Sequence, residues 1–363
     1  MCKKILITFL FKEGAGPVFT LEMARGLAQN SCEVHALLSS KISNRKDWEK
    51  ERSLKSVSFI ETGTRKTAIQ ASYNFFFKEQ FALRRKFMAI RFDYAISTFY
   101  HPWAFTVLKC FNVDKRVVIC HDPIFHSGVG LLEKWMTTRY IRTADDIVVL
   151  TRSFIPIVAK KYGYREEHIH YMPHGRMSLY KQKGYRKTEE NDAVNFLFFG
   201  RIGDYKGLNV LAKAYERICQ SYSNVTLTIA GSGDFSKYKS LFENMTKVRI
   251  ENRYIADGEI EDFFSVPHTV VVLPYLDASQ SGVIPIALEY QTPIIASDTG
   301  GLKEQLNDGR IGLFCKAGDV NSLAIQMKYV LNNPNHFKIE RNKMKEYLQC
   351  LDWSVVTKNI IQI

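Results

Sequence analysis

The chain has 363 residues, 46% of them hydrophobic and 24% charged, more than the roughly 100–200 residues of one domain. The balance is that of a globular protein and excludes a disordered or collagenous chain. A net charge of +13 and a pI near 9.3 call for an acidic partner such as phosphate, anionic lipid or nucleic acid.

The N-terminal run MCKKILITFLF is broken at Lys12 and Glu13 before it reaches signal-peptide or membrane-span length, so it reads as a first buried strand. Short apolar runs then alternate with longer amphipathic segments, the pattern of parallel strands with helical crossovers. Strands are expected at Lys4–Leu10, Glu33–Leu38, Ser58–Glu61, Tyr94–Ser97, Arg116–Cys120, Asp146–Leu150 and Ile169–Met172, and helices at Pro17–Gln29, Tyr73–Ile90, Pro102–Cys110 and Thr151–Tyr162. They make residues 1–180 one doubly wound domain. Lys41 to Arg91 carries 13 Lys/Arg against five Asp/Glu, which gives this domain a basic face. Within it, Tyr73–Arg91 has one apolar stripe at Phe76, Leu83, Phe87 and Ile90 and a second at Phe77, Phe81 and Met88. One stripe suffices for a core. The second, with Lys78, Arg84, Arg85 and Lys86 beside it, suits an anionic membrane surface, or else a thick core-facing helix with solvated cations.

A polar stretch without hydrophobic periodicity places a linker at 181–191. Strand and helix alternate again over 192–349, a second Rossmann-like domain, and 350–363 form a tail that returns to the first domain. Facing sheets of this kind leave a cleft at the carboxyl ends of their strands. The seven cysteines are widely spaced with no Cys-x-x-Cys pair, which reads as reduced thiols in a cytoplasmic protein.

The most informative segment is FLFFGRIGDYKGLNVLAKAYERI, Phe196 to Ile218. A buried strand delivers Gly200 and Arg201, and Lys206-Gly207 opens a helix. Arg201 can fork onto phosphate oxygens while Lys206 acts as a point charge near free helix N–H groups. In TIAGSGD a strand runs into Gly231-x-Gly233, a turn that admits a ligand close to the main chain. The third block, Val270 to Gly312, holds a polar loop ending at Ser281-Gly282 and a helix carrying Glu289. A carboxylate on the first turns of that helix would take two ribose hydroxyls.

In this order and spacing, these blocks resemble the C-terminal half of family 4 glycosyltransferases. GAGPVFTLEMARGLAQNSCEVHAL, VVICHD and HYMPHG are similar to N-terminal parts of the same family. The resemblance implies a GT-B α/β architecture of two Rossmann-like doubly wound domains and a retaining transfer of a hexose-type sugar from a nucleotide-diphosphate sugar to a glycan or lipid-linked acceptor. Surface polysaccharide assembly is the implied setting, in the cytoplasm or peripheral on the inner face of the membrane. By the same resemblance Arg201 and Lys206 would hold the diphosphate and stabilise its charge as the glycosidic bond breaks, and His121 would sit near the transferred sugar. Glu289 would bind ribose, the amides of Gly282, Val283 and Ile284 would face sugar and phosphate, main chain at Arg253 and Tyr254 would meet the base, Gly231 would lie along the donor, and Gly14 and Gly16 would close the site from the N-terminal side.

Where the family often has two glutamates separated by seven residues, counting back from Glu289 gives Ser281, which with Gln280 could bond a sugar hydroxyl. There is no Asp-x-Asp and no zinc-type spacing of His or Cys, so neither metal nor cofactor is expected. A nonhydrolysing nucleotide-sugar epimerase would share the architecture. A non-catalytic module binding membrane or nucleic acid would explain the charge alone, and without an aromatic platform no nucleic-acid partner is expected.

Overall fold

The computed structural model describes residues 2–64, 66–124, 130–181 and 193–363. Of the expected linker 181–191, all but Lys181 lies outside the described residues. The chain divides into two compact units, Met1–Gly175 together with Leu351–Ile363, and Arg176–Cys350.

In the first unit seven strands form one sheet: β1 Lys4–Phe9, β2 Glu33–Ser39, β3 Ser56–Ile60, β4 Arg91–Ser97, β5 Asn112–Cys120, β6 Asp146–Val149 and β7 Ile169–Tyr171, in the order β3-β2-β1-β4-β5-β6-β7. Every pairing is parallel. Strands such as KILITF are apolar on both faces because helices cover both sides of the sheet, and Ile5, Leu6 and Ile7 are fully buried. The helix Gly16–Gln29 carries Gly26 at the point where Trp353 of the C-terminal tail packs, and a Cβ there would lie 2.6 Å from the Trp353 Cβ. Lys3 Nζ donates to the Ile361 carbonyl at 2.8 Å and Asn30 Nδ2 to the Ser354 carbonyl at 2.8 Å, which fixes the tail to this unit.

The other sheet face is covered by a continuous helical run, Ala68–Asn74, a π-helical turn Phe75–Glu79, and Gln80–Phe87. Leu83 and Phe87 are buried and Phe76 and Ile90 pack on the core, while Phe77, Phe81 and Met88 are exposed. The two apolar stripes are therefore real, and they face opposite ways. A helix at Leu131–Ile141 had no counterpart in the sequence reading, because its apolar residues are scattered around the axis rather than gathered on one side.

The second unit has β8 Val194–Phe199, β9 Val225–Ala230, β10 Val248–Glu251, β11 Thr269–Leu273, β12 Ile294–Ser297 and β13 Leu313–Cys315, again all parallel, in the order β10-β9-β8-β11-β12-β13. The helix Leu208–Cys219 buries Leu208, Leu211, Tyr215 and Ile218 on the sheet. Val320–Asn332 begins at an Asp319 cap that accepts the Ser322 N–H at 3.0 Å, worth about 1 kcal/mol. In each unit the strand order reverses beside the first strand, which marks β1/β4 and β8/β11 as the switch points.

Candidate functional site

In the second unit the loops leaving β8 and β11 at the switch point, with the helix that follows the second loop, carry most of the candidate residues. Gly207 takes the left-handed conformation, φ +67°, as the residue before the Leu208 helix. A Cβ there would fall 1.8 Å from the Pro274 carbonyl oxygen, so the two loops touch through main chain. The Leu276 N–H donates to the Tyr205 carbonyl at 2.8 Å and stitches them again two residues away in each loop. From β9, Gly231, at φ +151°, brings its backbone so close that a Cβ would meet the Gly200 carbonyl at 1.8 Å.

Lys206 is 9% exposed, and its ammonium lies 3.6 Å from the centroid of the Tyr275 ring and 5.1 Å from that of Tyr205. Burial pushes it down to about 8, with the Arg201 charge acting in the same direction. Arg201 itself is exposed at the end of β8. The pair thus combines a solvated guanidinium with a buried ammonium held by aromatic faces. Such an arrangement attracts an anion more strongly than two surface cations would.

The β11 loop places several of the expected residues. Ser281 is buried, and its hydroxyl meets the Tyr275 hydroxyl at 3.0 Å and accepts the Val283 N–H at 3.3 Å. Its main chain is held from both sides by Gln305, at 2.8 and 3.2 Å. Ser281 therefore braces the loop and does not present its hydroxyl outward. The Ile284 N–H goes to the Ser281 carbonyl at 3.3 Å, so the amides of Val283 and Ile284 are already engaged within the turn. Gly282 differs, since a Cβ there would meet nothing within 4 Å.

Glu289 was expected on the first turns of its helix, but the helix is Val283–Glu289 and the glutamate ends it. A carboxylate there opposes the helix dipole. Arg176 offsets this with a two-pronged pair, Nη2 to Oε1 at 2.7 Å and Nε to Oε2 at 3.0 Å. Beyond β10, the Arg253 guanidinium is committed to Glu259, at 2.7 and 3.0 Å, and to Glu251 at 3.1 Å, while the Tyr254 ring is exposed. An open hollow of 540 Å³ beside Arg310 and Lys343 contains none of the expected site residues.

In the first unit, Gly14 takes φ +90° with open space around it, and Gly16 abuts the Phe9 ring. His121 follows β5. Its Nε2–H donates to the Thr98 carbonyl at 2.9 Å, and its ring stacks on Phe99 at 3.9 Å. Burial, with His174 nearby, pushes His121 down to about 3, so the ring is neutral and Nδ1 is left as an acceptor. His174 is likewise pushed down by burial, to about 4. Both rings meet Phe19 edge-on, at 4.9 and 5.0 Å. Among the described residues, no group of three or more His, Cys, Asp or Glu side chains is placed to hold a metal ion.

Two family models match the chain: "Glycosyltransferase Family 4" over residues 16–176 and "Glycosyl transferases group 1" over 193–333. The chain belongs to the group 1, family 4 glycosyltransferases. This glycosyltransferase is 24% identical over 247 residues to a glycogen synthase of Mycobacterium tuberculosis, covering 65% of this chain and 56% of that one. It is 27% identical over 170 residues to a phosphatidyl-myo-inositol mannosyltransferase of Mycobacterium leprae, covering 46% and 45%. The chain thus spans about half the length of the curated relatives it matches. Among solved structures it resembles a glycosyltransferase of Rickettsia africae, with TM-score 0.73, 15% identity and coverage of 99% and 97%. It also resembles the Anabaena protein HepE in complex with UDP and glucose, with TM-score 0.71, 15% identity and coverage of 99% and 98%. The glycosyltransferase fold is GT-B, two Rossmann-like units.

Two residues of the candidate site carry no signal in the sequence. Arg176 follows the HYMPHG motif directly, yet a lone arginine before a polar stretch carries no periodic signal. Tyr275 ends the apolar run VVVLPY and so reads as core. It is indeed fully buried, but its ring is what Lys206 rests on.

Proposed function

We propose that this chain is a retaining glycosyltransferase that moves a hexose-type sugar from a nucleotide-diphosphate sugar to a glycan or lipid-linked acceptor in surface polysaccharide assembly. The observation that carries the reading is the buried Lys206, seated on Tyr275 beside Arg201 at the β8/β11 switch point. On this reading both cations receive the diphosphate, and their charge stabilises the leaving group as it separates from the sugar. Glu289, held in plane by Arg176, retains lone pairs for two ribose hydroxyls. The main chain at Arg253 and Tyr254 meets the base, and the amide of Gly282 faces the sugar and phosphate. Gly231 lies along the donor. In the first unit, Gly14 has open space around it, and the neutral His121 offers Nδ1 to a sugar hydroxyl. The HepE complexes with UDP and with UDP-glucose support a nucleotide-sugar donor. The enzyme would work at the inner face of the membrane, without metal or cofactor.

The test is incubation with a panel of nucleotide-sugars, following nucleoside diphosphate release with and without a lipid-linked acceptor. Arg201→Ala and Lys206→Ala are expected to abolish release, and a chelator to leave it unchanged. Full release by both variants would refute the assignment. The anomeric configuration of the product, read by NMR, tests retention, and recovery of an epimerised nucleotide-sugar would replace the reading by the epimerase one.

A further inference from the structure

The helical run on the first unit shows a second, outward stripe. Ile69, Tyr73, Phe77 and Phe81 recur every four residues, and each is at least 57% exposed. Four residues exceed the about 3.6 of an α-helical turn, so such a stripe would drift around a regular helix. The π-helical turn Phe75–Glu79, with its longer repeat, takes up part of the excess and holds the stripe to one side. The Tyr73 and Phe77 rings rest on each other at 4.6 Å. From Lys66 to Arg91 there are six cations, against Glu79 as the sole acid.

The helix Leu131–Ile141 exposes a second group, Leu131, Leu132 and Trp135, at its first turns. Topology brings the two groups to one edge. The run Ala68–Asn74 follows the carboxyl end of β3, Leu131–Ile141 follows the carboxyl end of β5, and the sheet is parallel throughout. Both helices pack against the same core, so they lie on the same face of the sheet. Between them runs the segment after β4, whose Trp103 stacks on Phe75 at 4.6 Å, while Arg139 lies over both the Phe105 and Trp135 rings at 5.6 Å. An exposed apolar rim rich in cations, built by two helices, is more than a monomeric soluble surface needs.

We propose that this two-helix rim, Ile69/Tyr73/Phe77/Phe81 with Leu131/Leu132/Trp135, seats in an anionic lipid bilayer beside the carboxyl edge that carries Gly14 and His121. Charge complementarity selects the occupant. Cations beside the stripe draw the face to anionic headgroups, and the aromatic and leucine side chains then enter the acyl boundary. This deepens the acceptor part of the proposed function and rests on it, since a lipid-linked acceptor would be met at the surface where it resides.

The chain supplies its own probe. Of its four tryptophans, Trp48, Trp103 and Trp353 are at most 5% exposed, whereas Trp135 is 59% exposed. Full-length protein is mixed with vesicles of phosphatidylcholine alone or with phosphatidylglycerol, with no nucleotide-sugar present, so the outcome is independent of donor chemistry. With phosphatidylglycerol, tryptophan emission is expected to move to the blue and to be quenched by brominated acyl chains, and both effects should weaken at high salt. Tyr73→Ser with Phe77→Ser, checked for an unchanged circular-dichroism spectrum and unfolding midpoint, is expected to weaken vesicle binding at least about tenfold, given two aromatic side chains withdrawn from lipid. No emission change with anionic vesicles would overturn the proposal, and so would binding untouched by the double substitution. A blue shift that grows with protein concentration without vesicles would assign the rim to a second copy of this chain instead.

Discussion

Replacing Lys206 by Met should raise stability while removing donor chemistry. Burial moves the ammonium from 10.5 to about 8, a penalty of about 3 kcal/mol for keeping the charge in the folded state. Methionine, similar in reach and at ease against aromatic rings, escapes this penalty. At about 2–4 °C per kcal/mol for a unit of this size, the unfolding midpoint at neutral pH should rise by up to about 10 °C. The pH dependence fixes the cause. Below about pH 8 the lysine is charged in both states and the penalty is complete. Between about 8 and 10.5 the unfolded chain binds the extra proton, so wild-type stability rises with pH and the gap to the variant closes. Differential scanning fluorimetry of both proteins across this window, together with nucleoside diphosphate release at neutral pH, checks both halves. A variant no more stable than wild type at neutral pH, or an advantage that does not change with pH, would show that Lys206 is not held desolvated for an anion.

Gly231→Ala forces a Cβ to 1.8 Å from the Gly200 carbonyl at φ +151°, and urea unfolding should show a loss of more than about 2 kcal/mol. Arg176→Ala leaves Glu289 buried and unpaired. Because the Arg176 side chain is 31% exposed, the loss should lie near 2 kcal/mol, below the roughly 3–5 of a fully buried pair, and Glu289→Gln in the same chain should restore part of it while donor KM stays raised. Tyr275→Phe keeps the ring under Lys206 and loses only the contact with Ser281, about 1 kcal/mol, so release should survive, whereas Tyr275→Leu should lose release.

The parallel sheets were legible in the sequence because their strands are buried on both faces and stand as bare apolar runs between polar turns. Leu313–Cys315 was not, since three residues paired at a sheet edge leave no run to see. Leu131–Ile141 was hidden for a physical reason that also gives it interest: a helix that exposes two leucines and a tryptophan has no polar face to define its period. At the site, Arg201, Lys206 and the glycines were visible as residue types at a strand end. What they rest on was not. The Tyr275 ring under Lys206 and the Arg176 fork on Glu289 are contacts between segments 69 and 113 residues apart, and neither partner differs in the sequence from an ordinary core tyrosine or linker arginine. Glu289 closes its helix because the helix is only seven residues long, a length that the apolar run VIPIAL does not mark.

Ser281 shows how the wall behind Lys206 is balanced. The family pattern would place an acid here, yet Ser281 is 1% exposed, and its hydroxyl binds the tyrosine whose ring carries the ammonium. A glutamate would have to displace the Tyr275 hydroxyl and turn a carboxylate toward Lys206 in a desolvated wall. The attraction would raise the lysine's affinity for its proton and neutralise its field at the same time. Ser281→Glu is therefore expected to weaken nucleoside diphosphate binding at least about tenfold, the loss of one charge-assisted contact, and to remove the rise of stability with pH between about 8 and 10.5. Ser281→Ala, which frees the Tyr275 hydroxyl and the Val283 N–H without adding charge, should bind nearly as wild type. Calorimetric titration with the nucleoside diphosphate distinguishes the two. Binding by the glutamate variant equal to or tighter than wild type would mean that position 281 faces the ligand, and that the Tyr275–Ser281 contact is not what sets the charge of Lys206.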